Sequence, residues 1–91
     1  MKIRKIVGHE QAAVCVWDYD DGSAVLVSYT TPVCKIDSNG WLVCNGLYSR
    51  TTIKHIGWFM REYGFTYYLA KQLYLDNKTF NIYTGEIRDR A

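Results

Sequence analysis

The chain has 91 residues, of which 48% are hydrophobic and 15% aromatic, and its formal charge is +2. This length predicts one domain over residues 1–91 with a core of its own. The charge is too small to indicate nucleic-acid binding by itself, and no apolar run suits a membrane span or a secretory signal after the basic residues 1–7. We therefore expect a cytoplasmic protein with no membrane partner.

The first part of the chain predicts strands joined by tight turns. Residues 2–7 alternate between basic and apolar side chains and predict an edge strand. The runs at 12–19 and 23–30, rich in Val, Trp and Tyr, predict a hairpin whose short loop ends at Gly22 with a positive φ. Because Pro32 cannot donate to a strand ladder, we expect a bend, a bulge or a strand start there.

A second hairpin and a helix are predicted next. Residues 33–36 and 41–44 flank a four-residue turn, 37–40, and Asn45-Gly46 ends the last strand. The segment 48–64 then predicts the longest helix, with Ser49 as N-cap and Gly64 ending it in a left-handed conformation. Its apolar side is defined by helical spacing of Ile53, Ile56, Met60 and Tyr63, extended by Thr52 and Phe59.

The rest of the chain predicts a shorter helix over 66–75 with Thr66 as its cap, a short strand over 79–83 and a charged, frayed end over 86–91. Strands followed by helices predict an α+β fold, an antiparallel meander of four to five strands packed by one long and one shorter C-terminal helix. Both faces of the predicted strand 23–30 carry apolar residues. This pattern favours a homodimer or another covering partner on the second face.

Neither a metal nor another cofactor is expected. Cys15, Cys34 and Cys44 are odd in number and lack C-x-x-C spacing, so they predict small buried hydrophobes rather than a disulfide framework or a zinc site. The acidic residues at 18, 20 and 21 do not follow the spacing of a calcium loop and suit a hairpin tip.

The polar side of the longest helix is the main candidate for partner binding. Arg50, Lys54 and Arg61 gather there, and Trp58 lies beside them. Cations next to an aromatic ring suit a protein hot spot, or the phosphates and bases of nucleic acid. The alternative is an ordinary solvated face. Trp58 argues against it, because a large ring on a polar face needs cover from a partner or from the second helix.

The start of this helix is a second candidate. Ser49, Thr51 and Thr52, together with the unpaired first-turn N–H groups, could contact a phosphate, and His55 lies one turn further on. The alternative for the hydroxyls is simple capping. His55 could also act in acid–base chemistry, but His9 is distant in sequence and no other titrating partner supports it. A partly exposed helix histidine is the expected role, and no catalytic residue is expected.

Two motifs carry a resemblance: Ser28-Tyr29-x-Thr31-Pro32-Val33 and Asn45-Gly46-x-Tyr48-Ser49-x-Thr51-Thr52-x-Lys54-His55-Ile56. Over residues 28–63 the sequence resembles a group of small proteins encoded by phages, plasmids and other mobile elements of Gram-positive bacteria. The resemblance implies an accessory protein that acts inside a bacterial cell. Small proteins of such elements often inhibit host defence, including CRISPR effectors, by binding them.

Several functional hypotheses follow. The leading one is a non-enzymatic protein that binds a bacterial host protein, such as a nucleic-acid-processing defence complex, through the polar helix side. Direct DNA or RNA binding through the same side is the first alternative. Sequestration of a small nucleotide signal at residues 49–52, across a dimer interface, is the second. An enzyme that uses His55 is the last.

Overall fold

A computed structural model describes residues 1–45 and 49–90 of the chain. Within these residues the chain forms a seven-stranded antiparallel sheet, in which the strands lie side by side in chain order, and two helices inserted between the fifth and sixth strands. The strands are β1 (Lys2–Arg4), β2 (Val14–Asp18), β3 (Ala24–Ser28), β4 (Thr31–Ile36), β5 (Trp41–Cys44), β6 (Lys78–Asn81) and β7 (Ile87–Asp89). The helices are α1 (Arg50–Glu62) and α2 (Tyr67–Leu75).

The predicted α+β class and antiparallel meander are confirmed, but the prediction of four to five strands is wrong. The charged end that was predicted to fray forms β7, which pairs with β6 through Phe80 and Ile87. The side-chain oxygen of Asn81 accepts bonds from the N–H groups of Tyr83 and Thr84, which shapes the connecting turn. By pairing with β6, β7 occupies backbone N–H and C=O groups that β6 would otherwise leave unpaired.

The predicted turns and the interruption at Pro32 are confirmed. Gly22 has a φ of 90°, in the left-handed region that glycine tolerates best. The pairing of β3 with β4 shifts register between Leu26 and Val27, and Val27 pairs with Pro32. The missing N–H of the proline is therefore accommodated by a bulge.

The caps of both helices also match the sequence. The hydroxyl of Ser49 accepts a hydrogen bond from the N–H of Thr52 at 3.4 Å. The hydroxyl of Thr66 accepts one from the N–H of Leu69, also at 3.4 Å. Gly64 follows α1 with a φ of 81°. The longer helix, α1, has 13 residues and α2 has nine, so both are of ordinary length. The predicted turn at Gly46, the predicted helix start at Tyr48 and the last residue of the tail lie outside the described residues.

The two helices cover one face of the sheet. α1 packs over β3, and α2 packs over β5 and β6. Val16, Leu26 and Ile36 point from the sheet into the layer between, where they meet Ile56 and Phe59 of α1. Full burial of such side chains contributes about 1.5–3 kcal/mol each, so this layer holds α1 in a fixed rotation on the sheet.

The other face of the sheet carries partly exposed apolar side chains, including Trp17, Val25 and Val43. The predicted homodimer or covering partner on this face stays a prediction. Neither helix in the described ranges combines the length and the apolar character that a membrane crossing requires.

Candidate functional site

α1 and α2 leave between them a groove of about 350 Å³, here called the α1–α2 groove. Its lining residues are Ile53, Lys54, Gly57, Trp58, Arg61, Thr66, Tyr67 and Tyr68. Three of the four predicted partner-binding residues therefore lie in one concave surface. The fourth, Arg50, is exposed at the start of α1 and does not line the groove.

The two cations of the groove are exposed to solvent. Neither Lys54 nor Arg61 forms an ion pair with any carboxylate in the described part of the chain. Arg4 shows the opposite arrangement, because its guanidinium lies 2.6 Å from Asp18 and 2.9 Å from Glu62, and the latter bond raises the pKa of Arg4. The chain thus pairs the arginine that joins β1 to α1 and leaves the groove cations available to an anion.

Trp58 receives part of its cover from the N-terminal segment. The His9 ring stacks on the indole with ring centres 3.6 Å apart and planes 7° from parallel. The segment before β2 thus supplies cover for Trp58 in addition to the two sources named from the sequence, a partner and the second helix. The indole is still partly exposed, and it borders both the α1–α2 groove and a smaller depression beside Ile6 and Val7.

The wall opposite Trp58 is formed by the start of α2. Tyr67 is partly buried against the core, whereas Tyr68 is 77% exposed. An aromatic ring projecting this far into water loses little flexibility when a partner covers it and offers a large contact area. The groove therefore combines cations with aromatic surface, a composition enriched at binding hot spots.

The floor of the groove contains Gly57, in the middle of α1. A glycine inside a helix costs about 1 kcal/mol relative to alanine. A Cβ at this position would meet only the Cβ of Tyr67, at 3.6 Å, which is an ordinary contact. Neither backbone conformation nor helix packing thus requires the glycine, and the space that it leaves open belongs to the groove.

A buried polar cluster lies on the opposite side of α1. The Oγ of Ser28, at the end of β3, lies 2.7 Å from Nδ1 of His55 and 3.2 Å from Oγ1 of Thr52. Ser28, Thr52 and His55 are 2%, 6% and 1% exposed. The expectation of a partly exposed His55 is therefore wrong. α1 is rotated so that His55, rather than Ile53, faces the sheet, because Ser28 supplies a hydrogen-bond partner there.

Ser49, at the start of α1, adds a further hydrogen bond to this cluster. Ser49 donates to Oγ1 of Thr52 at 3.3 Å, and within the described residues no buried side-chain nitrogen or oxygen lacks a partner. Burial lowers the pKa of His55, and the charges of Lys5, His9 and Lys54 lower it further. At neutral pH the ring is therefore uncharged, and its hydrogen bond to Ser28 is structural in this arrangement.

The predicted phosphate contacts divide into two pairs. Ser49 and Thr51 are exposed at the start of α1, so a phosphate contact through them stays a prediction. Thr52 and His55 are buried, and their polar atoms face Ser28 and not solvent.

The structure brings the two histidines close to one ring, which the sequence did not predict. His9 stacks on Trp58, and the His55 ring centre lies 5.3 Å from that of Trp58. No local pattern around His9 signals this contact, because it depends on how the N-terminal segment folds over α1. In the described ranges, no three His, Cys, Asp or Glu side chains are grouped so that they could hold a metal ion.

Comparisons with known proteins identify a family but no activity. No curated protein and no solved structure matches the chain. One family model matches residues 1–83, which include every strand but β7, both helices and all residues of the α1–α2 groove. The chain therefore belongs to the family of unknown function DUF8033.

Proposed function

We propose that this protein is a non-enzymatic binding protein whose α1–α2 groove holds an acidic segment of a bacterial host protein. The observation that carries the proposal is the convergence of Lys54, Trp58 and Arg61 on one groove with exposed aromatic surface. The two cations form no ion pair within residues 1–45 and 49–90. Carboxylates of the partner would pair with the cations, and an apolar side chain would rest on the aromatic walls.

The groove favours a protein segment over a nucleic acid. Nucleic-acid binding draws its affinity from several phosphate contacts, whereas the groove supplies two cations, and the chain as a whole carries a formal charge of only +2. Ile53 and the open floor at Gly57 give an apolar depression suited to one side chain. Direct DNA or RNA binding through the same residues is the alternative, and it predicts affinity that falls steeply with salt.

Inhibition of a bacterial defence system, such as a CRISPR effector, is the proposed role of this binding. It rests on the resemblance to accessory proteins of phages and mobile elements, and the groove supplies the contact surface for it. The non-enzymatic part of the proposal draws on the burial of Ser28 and His55, because neither side chain is presented to a substrate in this conformation.

A comparative capture experiment tests the proposal. Tagged wild-type protein and the double variant Lys54→Glu/Arg61→Glu are incubated with a bacterial lysate, with and without nuclease. Lys71→Glu is the matched control, because Lys71 is exposed on α2 and does not line the groove. We expect a nuclease-resistant protein that wild type and Lys71→Glu capture and the double variant loses.

Other outcomes would redirect or end the proposal. Capture that disappears with nuclease would replace the host protein by nucleic acid. A partner that the double variant retains at full level would exclude the α1–α2 groove as the contact surface. With a purified partner, reversal of two cations at a hot spot should weaken binding by at least about tenfold.

A further inference from the structure

A pair of cysteines lies in the hairpin formed by β4 and β5. Asp37 donates its N–H to the carbonyl of Trp41 at 3.0 Å, and the pairing continues outward to Cys34 opposite Cys44. Each cysteine is therefore three residues from the Asp37–Trp41 pair that closes the hairpin. They are directly opposed, and their side chains point to the same face of the sheet.

The backbone at this pair suits a disulfide. Asn45 donates its N–H to the carbonyl of Val33 at 2.9 Å, so Cys34 and Cys44 occupy a pair whose backbone groups do not bond to each other. Such opposed residues have Cα atoms about 4.5 Å apart, within the range of about 4.4–6.8 Å that disulfides span. The two sulfur atoms are free thiols 2.9 Å apart, so small side-chain rotations would bring them to bonding distance.

We propose that Cys34 and Cys44 form a thiol–disulfide exchange site, at which a small organic disulfide such as glutathione disulfide converts them to an intramolecular disulfide. Sequence spacing alone argued against a disulfide framework, since three cysteines without C-x-x-C spacing match none. The register of the hairpin instead supports a disulfide between Cys34 and Cys44.

The two thiols differ in the way that such an exchange requires. Cys44 is 7% exposed and Cys34 is fully buried. The Cys34 thiol can donate a hydrogen bond to the Cys44 sulfur, which lowers the pKa of Cys44. Burial opposes this shift, and the positive charge of Arg90 supports it, so that the pKa is lowered overall. Asn45, which follows Cys44 in the chain, and Arg90 border an open depression at the end of β5. Cys44 does not line this depression itself, but a disulfide with carboxylate groups that binds there would lie beside a cation close to Cys44.

The exchange proceeds in two balanced steps. The Cys44 thiolate attacks one sulfur of glutathione disulfide, forms a mixed disulfide and releases one glutathione thiolate. Cys34 then loses its proton and attacks the Cys44 sulfur, which forms the Cys34–Cys44 bond and releases the second glutathione thiolate. Two protein thiols are oxidised, one glutathione disulfide is reduced to two thiols, and the two protons pass to the released thiolates.

Folded protein in mixtures of reduced and oxidised glutathione provides the test. The Cys15→Ser variant is used because Cys15 is partly exposed and would otherwise react separately. After an acid quench, the protein is unfolded, alkylated and weighed by mass spectrometry. We expect conversion from a form with two alkyl groups to a form with none that has lost two hydrogen atoms, and peptide mapping should link residues 34 and 44.

Single variants test the order of attack. Cys34→Ser should accumulate a glutathione adduct on Cys44, whereas Cys44→Ser should leave Cys34 unmodified as long as the protein is folded. The proposal fails if the folded Cys15→Ser protein keeps two alkylatable thiols at every glutathione ratio while the urea-unfolded protein oxidises. It also fails if Cys34 and Cys44 acquire glutathione at equal rates in the two single variants.

Discussion

The two sides of α1 treat their polar groups in opposite ways. On the sheet side, His55 and Thr52 are buried and share hydrogen bonds with Ser28. On the other side, Lys54 and Arg61 face solvent across the α1–α2 groove without an ion pair in the described part of the chain. The sheet side places its polar side chains in hydrogen bonds within the molecule, whereas the groove side presents its charges to solvent.

This difference separates residues that specify the fold from residues that are available for binding. A buried polar group without a partner costs about 1–3 kcal/mol, so the sheet side tolerates little change. Exposed cations contribute little to stability, so the groove side can change with small cost to the fold. The contrast predicts that substitutions on the two sides affect different measurements.

The largest effect is expected on the sheet side. His55→Ala should lower the free energy of unfolding by about 3 kcal/mol, because it opens a cavity and removes the bond to Ser28. Urea unfolding followed by circular dichroism measures the change. Thr51→Ala, an exposed neighbour on the same helix, should change stability by less than about 0.5 kcal/mol. Equal losses in the two variants would contradict the structural role of His55.

The free energy of unfolding should depend on pH through the protonation of His55. Burial, and then the charges of Lys5, His9 and Lys54, lower the pKa of His55 in the folded protein, so the unfolded chain takes up the proton first as pH falls. The stability that His55 contributes is complete above about pH 6.5 and is lost as pH falls from there through the folded-state pKa. His55→Asn should flatten the decline in urea midpoint below about pH 6.5. If the urea midpoint of His55→Asn declines as steeply as that of the wild type, titratable groups other than His55 cause the decline.

The hairpins and caps could be predicted because their signals are local. Gly22, Pro32 and Ser49 each act on backbone within a few residues, and each was placed correctly. The polar side of α1 was predicted for the same reason, since helical spacing alone brings Lys54, Trp58 and Arg61 together. Their convergence with Tyr67 and Tyr68 depends on how α2 crosses α1, which no spacing within α1 contains.

The errors concern contacts between distant residues. His55 was expected to be partly exposed because its partner, Ser28, lies in β3 and is distant in sequence. The end of the chain was predicted to fray because its charges suit a solvated tail, yet pairing with β6 outweighs that preference. The Cys34–Cys44 pair is a different case. A four-residue turn at 37–40 would place Cys34 opposite Val43. The observed pairing of Asp37 with Trp41 shifts the register by one residue, so Cys34 lies opposite Cys44.

A change in the groove floor should move stability and binding in opposite directions. Gly57→Ala should raise the free energy of unfolding by about 1 kcal/mol, because alanine favours the helix and its Cβ makes an ordinary contact with Tyr67. The same methyl group narrows the α1–α2 groove and should weaken partner binding several-fold. Lys71→Ala is the control, on α2 outside the groove. Stronger or unchanged binding by a stabilised Gly57→Ala protein would show that the open floor is not used.

The smallest effect is expected at Arg50. A substitution there tests whether the partner contacts only the α1–α2 groove or the whole basic side of α1. Arg50 is exposed in the first turn of α1, where no acidic residue is present and a cation opposes the helix dipole. Arg50→Ala should therefore raise stability by about 0.3 kcal/mol or leave it unchanged. Because Arg50 does not line the α1–α2 groove, Arg50→Ala should lower partner affinity less than threefold, which corresponds to about 0.65 kcal/mol. The double variant Lys54→Glu/Arg61→Glu should lower it at least about tenfold. Titration calorimetry with the captured partner compares the variants, and an equal loss at Arg50 would extend the contact surface along the whole polar side of the helix.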